Sequence, residues 1–175
     1  MEKREHSIIW MVAHFPDHIE SGERVEKTVE VYRSNPKPIW IFASLIAQYE
    51  DAIEDQLKRK LIQKGVPALD ILCSTHFGKM DCFDTVQEME NVLATARSEQ
   101  VTAIYCISNK LQLLQIHGLS RKRGMRIHFI SSPIKDRRWW YVSARIILIP
   151  LAYAGIGLRF PPLQLQRVAA RASRG

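Results

Sequence analysis

The chain has 175 residues, 46% hydrophobic and 25% charged, a size and balance that suit one compact domain with a real core. Three cysteines, odd in number and irregularly spaced, argue against a disulfide frame and for reduced thiols in a cytosolic setting. The formal charge of +7 is sharply divided, −4 over residues 1–117 and +11 over 118–175, yet no aromatic-basic interleaving of a nucleic-acid module is present.

The opening MEKREHSIIWMVA lacks the long apolar region and small-residue cleavage site of a signal peptide, and reads as a first strand over 6–13. A polar loop, HFPDHIESG, leads to a helix over 22–35 that Ser21 is positioned to cap, with Val25, Val29 and Tyr32 on one face. Pro36 and Pro38 interrupt it, and PIWIFAS is the continuous apolar run of a buried parallel strand. A helix over 49–64 stops at Gly65, a left-handed cap, and 70–73 forms a short third strand. After a polar loop over 74–81, a helix over 83–99 buries Val86, Met89, Val92 and Leu93.

Residues 101–132 say most about the architecture. VTAIYCISN ends in Ser-Asn, KLQLLQIHGLSRKRG closes on Gly124, and MRIHFISS follows. A strand, a crossover helix and a strand build a parallel sheet. The whole order predicts an α/β fold, a three-layer α/β/α domain with a doubly wound, mostly parallel five-stranded sheet of Rossmann-like kind. Ligands of such sheets bind at the carboxyl edge, where the strand order reverses. The loops expected there are 14–17, 44–48, 74–85, 108–112 and 131–132.

The C-terminal third reads differently. Residues 139–158, WWYVSARIILIPLAYAGIGL, carry one charge, Arg145. Their length meets that of a bilayer span, but Arg145 and Pro150 weaken that reading. A helix docked on the sheet or lying in a membrane surface competes with it. The expected organisation is an α/β domain over 1–135, an apolar helix over 136–160 and a basic tail over 161–175.

At the rim, Asp84 and Thr85 stand at a helix N-terminus, where backbone N–H groups and the dipole favour an anion, or where Asp84 caps the helix itself. Ser108 and Asn109 end a strand and suit hydrogen bonds to ribose or phosphate oxygens, or ordinary turn chemistry. Arg24 falls in the expected first turn of its helix, where a cation is disfavoured unless it faces a carboxylate or ligand, and is read as solvated. His14, Asp17, His18, His76, Asp81 and Asp84 collect on rim loops without helix ligand spacing, so no metal site is predicted. Cys82 lacks the positive neighbours of a reactive thiolate.

This order of elements resembles the YdcF/SanA/ElyC-like family, a doubly wound group of largely unassigned function. The residues that carry it are GERVEKTVEVYRSNPKPIWIFAS, similar to the family's first helix and second strand, and YEDAIEDQLKRKLIQKGVPALDIL, similar to its acidic helix and Gly-Val-Pro turn. DCFDTVQEMENV resembles the Ser-x-x-Thr-x-Glu-Asn helix start, through Thr85 and, out of phase, Glu88. ISNKLQLLQIHGLSRKRG resembles the Thr-Ser-x-x-His-x-x-Arg turn. The chain departs from the pattern in three places. His14-Phe15-Pro16 replace a Gly-Gly pair, Leu45-Ile46 follow the retained Ser44, and Gln112 and Gln115 stand at the His and Arg positions.

The resemblance implies a protein that binds a small nucleotide-like or other anionic molecule at the rim, without an assured reaction. Ser44, Asp84, Thr85, Glu88, Ser108, Asn109 and Gln112 would line the site. Glu88 is the candidate base if a reaction exists, and S-adenosylmethionine is one candidate ligand. A cytoplasmic location is expected. The alternatives are a membrane-surface or envelope-associated protein using residues 139–158, and an interaction domain for an acidic partner. Nucleic acid is not an expected partner.

Overall fold

The computed structural model describes residues 7–12, 19–35, 39–43, 52–73, 85–121, 123–124, 126–133 and 139–156. The fold is mixed α/β with a parallel sheet. In chain order it runs β1 (Ser7–Met11), α1 (Ile19–Ser34), β2 (Ile39–Ala43), α2 (Ala52–Gln63), a 3₁₀ turn (Ala68–Asp70) and β3 (Ile71–Cys73). Then come α3 (Thr85–Ser98), β4 (Ala103–Asn109), α4 (Lys110–Ser120), β5 (Ile127–Ser132) and α5 (Trp139–Tyr153). The strands lie in the order β3-β2-β1-β4-β5, and each neighbouring pair is parallel.

β1 is central and buried along its whole length, because both its faces are covered. Alternation divides its side chains between two cores. Ile8, Trp10 and Val12 join Met89, Val92 and Leu93 of α3 and Leu113 and Ile116 of α4. Ile9 and Met11 join Val25 and Val29 of α1 and Leu57 and Leu61 of α2. β4 divides likewise, with Ile104 and Cys106 in the first core and Ile107 in the second. The stripe expected on α3 is therefore buried as read.

Three helices end in one way. After α2, Val66 N–H bonds to Leu61 C=O and Gly65 N–H to Ile62 C=O, with Gly65 at φ +87°. This is the Schellman closure that Gly65 suggested. α3 repeats it through Val101 to Ala96 and Gln100 to Arg97, with Gln100 taking the left-handed conformation at φ 55° in place of a glycine. α5 repeats it through Ile156 to Leu151 and Gly155 to Ala152, with Gly155 at φ +82°.

That last closure bears on the span length read for residues 139–158. The apolar run is continuous, but its helix stops at Tyr153 because the backbone reverses hand at Gly155. Fifteen residues make about 22 Å of helix, short of the roughly 30 Å hydrocarbon core. Among the described residues no helix is long and apolar enough to cross a membrane. Two smaller boundaries also shift. α1 begins at Ile19, so Ser21 lies inside its first turn instead of capping it, and α4 ends at Ser120, before Gly124.

α5 packs chiefly against α4. Gly118 makes the approach close: a Cβ there would stand 2.8 Å from Tyr153 Cδ2 and 2.9 Å from Tyr153 N. His117 Nδ1 lies 2.6 Å from Tyr153 Oη, and the Arg121 guanidinium carbon sits 5.6 Å from the centre of the Tyr153 ring. Leu148 and Ala152 supply the buried apolar side of α5. Gly118→Ala should therefore force the two helices apart and cost about 1–3 kcal/mol, measured by denaturant unfolding. Unchanged stability would show that the helices can slide past each other.

Tyr32 fastens α1 to the start of β3 by donating its hydroxyl to Asp70 Oδ2 at 2.5 Å. That hydrogen bond, then burial, then the Asp70 charge raise the tyrosine's pKa to about 12 from 10.0. The folded state thus holds this proton more tightly than the unfolded state. The contribution is present in full below pH 10 and is lost as pH rises to 12. Wild-type protein should lose an increment of stability across that window that Tyr32→Phe does not lose, as read by paired denaturant melts.

Candidate functional site

Parallel pairing brings the carboxyl ends of the strands, at Met11, Ala43, Cys73, Asn109 and Ser132, to one edge of the sheet. From β1 the chain builds outward through β2 to β3, then resumes on the other side of β1 with β4 and β5. The strand order therefore reverses between β1 and β4, whose following connections diverge there.

A buried arginine occupies that point. α1 starts early enough to place Arg24 in its second turn, beside Val25 of the apolar stripe, and the residue is 1% exposed. Its Nη1 donates to the carbonyl of Val12, just past the end of β1, at 2.7 Å. Its Nη2 donates to Gln112 Oε1 at 3.1 Å. Removing a guanidinium from water costs several kcal/mol unless its donors are matched, so this position demands aimed acceptors. The reading of Arg24 as a solvated first-turn cation is thereby corrected.

Gln112 is the hub. Ser108 Oγ donates to the same Gln112 Oε1 at 2.9 Å, and Gln112 Nε2 donates to Thr85 Oγ1 at 3.4 Å. The backbone N–H of Gln112 donates to Asn109 Oδ1 at 3.0 Å, so Asn109 is the N-cap of α4. Asn-x-x-Gln has the spacing of a capping box. Here, however, the glutamine oxygen serves Arg24 and Ser108, and the amide reaches α3. One side chain thus ties α1, α3, β4 and α4 together.

Beside this network, Trp10 Nε1 donates to Glu88 Oε1 at 2.9 Å, with both residues buried. The Glu88 carboxylate is thus engaged by an indole, a role the reading of Glu88 as a candidate base did not include. Cys106, paired with Trp10 in register, reports the local field. Burial pushes its thiol well above the usual range, the Glu88 charge pushes it further, and Arg24 opposes them. It is a free, buried thiol.

The residues expected at the site are thus placed as follows. Thr85, Ser108 and Gln112 are joined by hydrogen bonds, Asn109 is joined as the cap, and Glu88 sits one turn along α3 from Thr85. Ser44 and Asp84 lie outside the described residues, as do His14, Asp17, His18, His76, Asp81 and Cys82. Among the described residues no group of His, Cys, Asp or Glu could hold a metal ion. Gln115, at the position where the resemblance expects a fixed cation, is buried, while Arg24 brings a cation in from α1.

Arg24, Trp10 and Ser132 were not among the expected site residues. Arg24 and Thr28 are spaced four apart beside Val25 and Val29, so polar residues inside an apolar stripe were the available signal. Ser132 faces Asn109 across the β4–β5 pair, and its buried hydroxyl has no hydrogen-bond partner among the described residues. The hydroxyl of Thr28, one turn beyond Arg24, is in the same state. A surface groove of about 510 Å³ lined by Glu26, Val29, Glu30, Arg33 and Ser34 shares no residue with this network.

Gln112→Leu should strip acceptors from Arg24 and Ser108 together and destabilise by about 2–3 kcal/mol, lowering the thermal midpoint by roughly 5–10 °C. Gln112→Glu keeps the acceptors and adds charge opposite Arg24, so it should stay near wild type at neutral pH. A leucine variant as stable as wild type would show that the hub is not needed. Comparison of the chain with protein-family models and with the sequences of curated proteins gives no match.

Proposed function

We propose that the chain is a YdcF-like α/β protein that binds a small anionic or nucleotide-like molecule at the carboxyl edge of its sheet, between the ends of β1 and β4. In this reading the sheet is doubly wound, with helices layered on both faces in the Rossmann-like manner, and residues 1–135 form the binding domain. The observation that carries it is Arg24, a fixed cation held under the point where the strand order reverses. The Ser132 hydroxyl adds support, because buried polar atoms in folded proteins are ordinarily paired.

The roles follow from the chemistry of each group. Arg24 sets a positive potential that favours an anion, and the hydroxyls of Thr85, Ser108 and Ser132 suit ribose, phosphate or carboxylate oxygens. Ser44 and Asp84 would complete the lining from their loops. Gln112 in place of histidine, and Glu88 engaged by Trp10, favour binding over catalysis. S-adenosylmethionine and free nucleotides are the candidate ligands, and a cytoplasmic location suits them.

A thermal-shift screen of nucleotides and S-adenosyl compounds tests this. A ligand present at a hundred times its Kd stabilises by about 2.7 kcal/mol, which raises the midpoint by roughly 5–10 °C. Thr85→Val and Ser108→Ala should keep the fold and lose most of that shift. No shift with any of these compounds, or a shift that both variants retain in full, would defeat the proposal.

A further inference from the structure

The outward side of α5 does not belong to the ligand site. The helix is apolar almost all round, and such helices are normally enclosed. One side, with Leu148 and Ala152, is enclosed against α4 and the first core. On the other side Ile146 is 58% and Ile147 64% exposed, and Pro150, one turn on from Ile146, is exposed beside them. Ile156, just beyond the helix, is 49% exposed. Adjacent large aliphatic side chains held in water mark an interaction surface.

Charge selects the occupant. Residues 118–175 hold 12 Lys and Arg against the single acid Asp136. Arg121 and Arg126, on the segment preceding α5, are exposed. A second copy of the chain would carry the same net charge of +7, and like-charge repulsion opposes that pairing. An anionic bilayer surface instead receives cations at its headgroups and aliphatic side chains at the acyl boundary. Surface-lying apolar helices bind through the aliphatic area they bury together with attraction of nearby cations to anionic lipids. The contacts of Tyr153 with His117 and Arg121, and the close approach at Gly118, hold the helix at a fixed orientation on the domain.

We infer that the outer face of α5, with Ile146 and Ile147 at its centre, seats the protein on anionic membrane surfaces, lying along the interface without crossing it. The full chain is sedimented with vesicles of phosphatidylcholine alone and of phosphatidylcholine with 30% phosphatidylserine. The double variant Ile146→Ser/Ile147→Ser is run beside it, with its thermal midpoint and solution mass measured.

Wild type should sediment with the phosphatidylserine vesicles and not with phosphatidylcholine alone. Binding should fall when salt is raised from 50 to 500 mM, and the double variant, equally stable, should bind at least roughly tenfold more weakly. Failure of wild type to sediment with the anionic vesicles overturns the inference. So does undiminished binding by the variant, which would assign attraction to charge alone. A variant that melts earlier would show the face covered by the chain itself, and a wild-type dimer that the variant converts to monomer would show it covered by a second copy. Both outcomes refute the membrane assignment.

Discussion

The guanidinium of Arg24 is the constraint around which the centre of this domain is arranged. It lies where two divergent halves of the sheet meet, and it needs acceptors from both. Val12 offers a carbonyl from the end of β1, and Gln112 offers an amide oxygen from the start of α4. For those acceptors to coincide, α1 must cross the sheet at one height and β4 must end where it does. The registers of Ser7 with Ala103 and of Met11 with Ile107 provide that alignment. A buried cation of this kind adds little net stability, since desolvation cancels much of what its hydrogen bonds return. It specifies geometry, and a geometry that holds a positive charge at a strand-order reversal suits the recognition of anions.

The two apolar cores make this polar seam stand out. Ile8 and Trp10 belong to one and Ile9 and Met11 to the other, so a single five-residue strand anchors both faces. Trp10 carries its indole N–H into the first core and satisfies it with Glu88. Cys106, its neighbour in the sheet, lies within the influence of both Glu88 and Arg24 and stays protonated. Carboxylate and guanidinium therefore act on one small, dry region from opposite sheet faces, since α3 carries the first and α1 the second.

Much of this was legible from residue order. Buried parallel strands are apolar runs, and helices betray themselves by stripes such as Val86, Met89, Val92 and Leu93. Gly65 marked a helix end because few other residues tolerate a left-handed backbone. Gln100 adopts the same conformation without a glycine's signature, so nothing in its identity announced it. Gly155 was hidden for the opposite reason: the apolar run flows past it, and hydropathy does not register a change of backbone hand. Arg24 escaped because charge is ordinarily taken as exposure, while its acceptor, Gln112, lies 88 residues away. Thr85 and Ser108 could be picked out because each starts a helix or ends a strand, where orphan backbone groups gather polar side chains, whereas Gln112 came only from the resemblance.

The manner in which α5 is attached has a kinetic meaning. The central strands share hydrogen bonds with neighbours on both edges, so exposing their amides to solvent requires opening most of the molecule. α5 has one principal neighbour and closes on its own Schellman turn, which lets it lift away with α4 and the sheet left standing. An element attached in this way can open without the central strands parting, at a smaller free energy than theirs. In deuterated water its amide protons would be replaced ahead of those of β1 and β4, and whatever holds its outer side would slow that replacement.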